Sequence, residues 1–155
     1  MRFMRFVRSE RGSILLLMAL FIPVALLLGG FVLDVGRAFV VQSELQNILD
    51  AATLAGANAG LTVNDGVNPP YCVIPTPEGK DAAQSFFDLN FKKYLASKAE
   101  LVSLKYNPID GDVNYSDGKI HMRATIRVPL TLPKMVGLDS ITLMRDSWAT
   151  CVPAP

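Results

Sequence analysis

The chain has 155 residues, of which 50% are hydrophobic and 19% charged, with a net charge of +1. Its mean hydropathy is +0.31, which excludes a disordered chain and exceeds what a small soluble domain needs. The near-zero charge gives no general pull toward nucleic acid, and two cysteines with one histidine exclude a Cys₄ or Cys₂His₂ zinc site.

The apolar excess is concentrated near the N-terminus. Gly12 to Leu33 carries no charge over 22 residues. As a helix it spans roughly 33 Å, enough for a hydrocarbon core of about 30 Å. Lipid offers backbone amides no partner, so the run must be helical. Arg2, Arg5, Arg8 and Arg11 precede it, opposed only by Glu10. The positive-inside rule puts this basic leader, residues 1–11, in the cytoplasm and everything after the 12–33 membrane helix outside. A cleaved signal peptide is the rival reading, but the apolar core is too long and no small-residue cleavage pattern follows it. Pro23 lies inside the run, removes one backbone donor and is expected to bend the helix.

The helix is expected to continue past the lipid, from about Ser13 to Ala59, for roughly 70 Å. Residues 34–60 form its amphipathic part. Ala38, Val41, Leu45, Ile48, Ala52, Ala55 and Ala59 alternate spacings of three and four, a seam suited to lengthwise helix packing. Ala52, Gly56 and Gly60 are small and let another backbone approach closely. Two occupants fit: the chain's own domain, or another copy or relative of this helix. Asp34 and Arg37 mark the membrane interface. The carboxylate needs water or a partner there, and Arg37 three residues on is the local one. An intersubunit contact at Asp34 is the sharper alternative.

Residues 61–155 read as an α+β domain. Four prolines and Cys72 make Asn68–Pro77 a loop. Thr76-Pro77 fits a cap and first helical position, opening a helix to about Glu100. Its apolar face is Ala83, Phe86, Phe87, Phe91, Tyr94 and Leu95. Val102, Leu104 and Tyr106 alternate as a strand, Val113 and Tyr115 begin another, and Asp117-Gly118 marks a hairpin. Ile120, Met122, Ala124, Ile126 and Val128 face one side of the clearest strand. His121, Arg123, Thr125 and Arg127 face the other, where the histidine is expected to be exposed. Ile141 to Val152 is the last strand, with weaker alternation around Arg145. A meander of three to four antiparallel strands under helices follows. Cys72 and Cys151 both lie on the oxidising side and are expected to pair.

The segment from Arg11 to Ala57 resembles the N-terminal segment of the TadE/TadG-like proteins of the tight-adherence (Flp) pilus machinery. The likeness is carried by R-G-S after a basic leader, an apolar run with an internal proline, and D-V-G-R at Asp34–Arg37. Leu45-Gln46-Asn47 and D-A-A-T-L-A-G-A at Asp50–Ala57 complete it. Two features set the chain apart. A cut after Gly12 would put Leu17 where processed pilins carry glutamate. The D-x-S-x-S motif of the long members' von Willebrand factor A domain is missing, so the plan is that of the short members.

The resemblance implies a pseudopilin-like or minor-pilin component of pilus assembly or secretion, in the bacterial inner membrane or a surface pilus. The N-terminus would be cytoplasmic and the C-terminal domain periplasmic. Its partners would be other pilins or pseudopilins and the inner-membrane assembly platform, in homo- or hetero-oligomers. A long helix against an antiparallel sheet is also the broad plan of type IV pilins, by analogy of architecture. No nucleic-acid partner, cofactor, metal or catalytic residue is expected. The sequence contains no P-loop, G-x-G-x-x-G, G-x-S-x-G or H-E-x-x-H. The competing class is a membrane-anchored periplasmic ligand-binding or enzymatic domain, which requires convergent polar groups in a cleft.

Overall fold

The computed structural model describes residues 10–59, 61–63, 71–73, 76–106, 119–131 and 137–150. Helix α1 runs Glu10–Asn58 without a break and includes Pro23. Two short strands, β1 (Leu61–Val63) and β2 (Tyr71–Val73), pair antiparallel. Helix α2 (Pro77–Tyr94) follows, then β3 (Glu100–Tyr106), β4 (Lys119–Pro129) and β5 (Ser140–Thr150). The last three form one antiparallel sheet in the order β3-β4-β5. The expected α+β plan, with a long N-terminal helix, a second helix and an antiparallel sheet, is therefore present. The expected strand at Val113 and Tyr115 lies outside the described residues.

The chain divides into two compact units. A helical unit comprises Met1–Arg37 and Leu130–Asp139. A packed unit comprises Ala38–Pro129 and Ser140–Pro155.

In the helical unit, α1 is long and apolar enough to cross a membrane. Its side chains from Ile14 to Gly29 are all exposed. Leu15 at 69%, Leu20 at 72% and Leu33 at 75% exposure are typical of a face whose natural solvent is apolar.

In the packed unit, the core joins three surfaces. Val41, Leu45, Ile48, Leu49 and Ala52 come from α1, Ala83 and Phe87 from α2, and Ile120, Met122, Ala124, Ile126 and Val128 from β4. The period-two pattern of β4 holds along its length. Thr76 caps α2: its Oγ1 accepts from Gly79 N–H at 2.9 Å, and Pro77 opens the first turn.

Besides the strand Tyr71–Val73, which lies inside the segment Asn68–Pro77 expected to be a loop, four local expectations need correcting. The second helix ends at Tyr94 rather than near Glu100: the Ala96 N–H reaches five residues back to the Phe91 carbonyl that Leu95 N–H already uses, so the four-residue ladder stops there and the chain turns. Phe86 and Tyr94, expected in the core face, are 40% and 46% exposed. They flank the buried line Gly79, Ala83, Phe87, which already fills the space under the helix. In β3 a bulge between Leu101 and Ser103 shifts the phase. Leu101, Leu104 and Tyr106 therefore pack inward, while Val102 is 49% exposed.

The fourth correction is His121, which is 8% exposed rather than solvated. Its strand partner is Trp148, whose ring meets it edge-on at 5.9 Å. Asp146 Oδ2 lies 3.3 Å from Nε2. Two long cross-strand neighbours cover a position that parity alone assigns to the polar face.

One buried hydroxyl pair ties α1 to β5. Thr53 Oγ1 donates to the Asp50 carbonyl at 3.0 Å. Its only hydrogen is then used, so the Ser147 hydroxyl, 3.1 Å away, is the donor between the two. Thr53→Val should strand the Ser147 hydroxyl at a cost of about 1–3 kcal/mol. Thr53→Val with Ser147→Ala should recover most of it. Urea titration of the full chain in mild detergent, read by Trp148 fluorescence, tests this. Equal destabilisation by the single and double variants would refute it.

Candidate assembly surface on the long helix

The predicted seam is occupied within the chain. Val41, Leu45 and Ala52 are fully buried, Ile48 is 6% and Ala38 7% exposed. Ala55 and Ala59 are half-buried, and Gly56 is buried. The small residues serve a helix crossing. A Cβ on Gly56 would lie 2.8 Å from the Gly79 carbonyl oxygen, and one on Gly79 would lie 2.8 Å from the Gly56 carbonyl oxygen. Of the two occupants the seam allowed, the one present is the chain's own domain.

Polar contacts fix the flanks of α1. Lys98 Nζ donates to both Glu44 carboxylate oxygens, at 2.8 and 2.7 Å. Gln46 Nε2 donates to Asp50 Oδ1 at 2.9 Å and to the Asp146 carbonyl at 3.3 Å. Arg145 shares its sheet level with the buried Ala124. The Gln42 amide, oriented with its oxygen toward the guanidinium, accepts from Nε at 3.0 Å and from Nη2. The broken alternation around Arg145 thus reflects an inward-reaching arginine satisfied by α1.

What remains free on this part of α1 is a second stripe. Val40 and Leu54 are each 56% exposed and Phe39 is 65%. Ser43 and Asn47 are exposed, and Ala51 is half-buried. Val40, Asn47 and Leu54 recur every seven residues, the spacing of a lengthwise helix contact. None of these residues is charged, and the nearby Glu44 is neutralised by Lys98. Beside the stripe, Asn47, Ile48 and Ala51 face Asn90 and Tyr94 of α2 across a groove. Sequence reasoning missed this stripe, because the polar Asn47 interrupts it and the fully apolar seam opposite dominates the pattern.

The other predicted residues are placed as follows. Asp34 is 8% exposed, and its Oδ2 accepts from the backbone N–H of Thr131 at 3.0 Å. Arg37, its expected partner, is exposed. Pro23 lies within uninterrupted helix and Arg11 in the first turn of α1. Arg2, Arg5, Arg8 and Cys151 lie outside the described residues. Cys72 is in β2, opposite Thr62; its pairing with Cys151 also lies outside the described residues. Two of the three basic residues of β4 have an acid across the sheet: Asp146 is opposite Arg123 in register, and Glu100 Oε2 is 3.9 Å from Arg127. Among the described residues, no group of three or more His, Cys, Asp or Glu could hold a metal.

Residues 12–59 match the family model described as putative Flp pilus-assembly TadE/G-like. This segment is TadE/G-like. It covers both the lipid-type run and the buried seam. The TadE/G-like segment is thus at once the apolar helix and one wall of the packed unit's core, so its small residues serve folding. No curated protein and no solved structure matches the chain.

Proposed function

We propose that the chain is a membrane-anchored, pseudopilin-like component of Flp-type pilus assembly, and that its role is mechanical rather than enzymatic. The observation that carries this is the TadE/G-like match over residues 12–59. That segment pairs an exposed apolar run with a helix that closes the chain's own core. The leader arginines set the N-terminus in the cytoplasm of a bacterial cell, and the run Gly12–Leu33 spans the inner membrane once. The packed unit then stands on the periplasmic side. There the uncharged stripe Val40, Ser43, Asn47, Leu54 meets another pilin-type helix, and the unit's surface meets the inner-membrane assembly platform.

Crosslinking the full chain in bacterial membranes, followed by purification and mass spectrometry, tests the proposal. Pilins or pseudopilins and the platform proteins are expected among the neighbours. Crosslinked neighbours containing neither would refute it.

A further inference from the structure

Within the helical unit one face of α1 is unlike the rest. From Ile14 to Arg37 only Gly30 and Asp34 are buried, and Val35 is half-buried. Leu33, Val32 and Phe31 are 75%, 67% and 51% exposed, whereas Asp34 is 8% exposed. Gly30 and Asp34 stand four residues apart, on one side of the helix. The adjacent Gly29 has open space around it, so the burial belongs to that side alone.

The other member of this unit is the β4–β5 connection, Leu130–Asp139. In sequence it reads LTLPKMVGLD, mostly apolar. Its base is closed by Leu130 N–H donating to the Asp139 carbonyl at 3.0 Å. Gly137, at φ 85°, takes a left-handed turn that glycine allows, and the next residue, Leu138, is 55% exposed.

Asp34 is the first charge after the uncharged run, and Gly30 lies about 6 Å back inside that run. The bond from Thr131 N–H to Asp34 Oδ2, 3.0 Å long, therefore sits where the lipid ends. Two costs cancel there. A carboxylate at the edge of the hydrocarbon needs a donor. Irregular backbone near lipid needs its amides satisfied within the protein.

We propose that the two ends of the β4–β5 connection, Leu130–Thr131 and Gly137–Asp139, form a second membrane contact. They seat in the interfacial layer of the bilayer, offer Leu138 to the acyl chains, and are held by the Thr131–Asp34 bond. Asp34 is then a positioning residue for a lipid-binding turn. This rests on the membrane-anchor reading above.

The test uses the full chain in vesicles of phosphatidylethanolamine and phosphatidylglycerol. A nitroxide is attached to p-acetylphenylalanine at position 138, which leaves both native cysteines untouched. Matching labels at positions 26 and 78 serve as lipid and water references. Collision with oxygen and with a nickel chelate reads depth. Nickel collision at 138 should be several-fold lower than at 78. Asp34→Ala should raise it to the level of 78, while Asp34→Asn, which keeps an acceptor oxygen, should not. Nickel access at 138 equal to that at 78, with 26 still shielded, overturns the proposal and leaves the anchor standing. Nickel access at 26 overturns both. Continued shielding of 138 in Asp34→Ala overturns the holding role of Asp34.

Discussion

Gly56→Leu should abolish cooperative folding of the packed unit, and Gly56→Ala should weaken it measurably. A Cβ at position 56 would lie 2.8 Å from the Gly79 carbonyl oxygen, and 2.9 Å from both Ala83 Cβ and Ile120 Cδ1. Only the isoleucine tip can swing aside. The other two contacts belong to α2, which is fixed by the Thr76 cap and by Phe87 in the core. Overpacking of this kind costs about 1–3 kcal/mol, and alanine regains about 1 kcal/mol of helix propensity over glycine. Because the closest contact is a backbone oxygen rather than a flexible tip, the cost falls toward the upper end, and a net loss of up to about 2 kcal/mol is expected for Gly56→Ala. Leucine adds three more carbons where even the first has no room. The helices would have to part, at a cost comparable to a typical domain's whole stability of about 5–15 kcal/mol. Urea titration of the full chain in mild detergent, read by Trp148 fluorescence, decides the matter. A cooperative transition for Gly56→Leu at the wild-type midpoint would show that the crossing is not close. Lost pilus output in this variant would accordingly report misfolding rather than a broken subunit contact.

That distinction marks the limit of what the sequence could say. The three-and-four spacing of Ala38 to Ala59 identifies a buried seam, but spacing carries no information on whose atoms cover it. Long-range packing decides that, here through α2 and β4. The capped start of α2 and the parity of β4 were legible because each has a local cause: a hydroxyl before proline, and a side-chain period of two. The β1–β2 ribbon was not, since three-residue strands are too short to show a period. His121 and Val102 were misplaced because cross-strand neighbours and a bulge overrode parity. Asp34 was legible as an anomaly at the end of the apolar run. Its partner was not, because Thr131 lies 97 residues away and the donor is a backbone amide, which leaves no trace in residue type. The free stripe on α1 became visible only once the opposite face was known to be filled.

Val40→Glu with Leu54→Glu should leave the packed unit as stable as the wild type and eliminate the membrane complexes proposed above. Both side chains are 56% exposed, and neither belongs to the core. Surface substitutions of this kind usually change stability by no more than about 0.5 kcal/mol. In a helix–helix contact the same carboxylates would be taken out of water; Arg37, one turn before position 40, can meet only that one, and position 54 has no Lys or Arg within a turn on α1. The stripe is uncharged, and the nearby Lys98 is already engaged by Glu44. An unpaired buried charge costs several kcal/mol, and the one at position 54 should reduce association beyond detection. Crosslinking in membranes measures the loss, and the urea midpoint confirms the fold. Leu89→Glu is the matched control, because Leu89 of α2 is 70% exposed but lies off the stripe. Retained crosslinks in the double variant would remove the α1 stripe as the assembly surface. Loss in Leu89→Glu alone would move that surface to α2. The heptad spacing of Val40, Asn47 and Leu54 favours the stripe, because a partner helix lying along α1 meets all three together, whereas Leu89 offers a single point of contact.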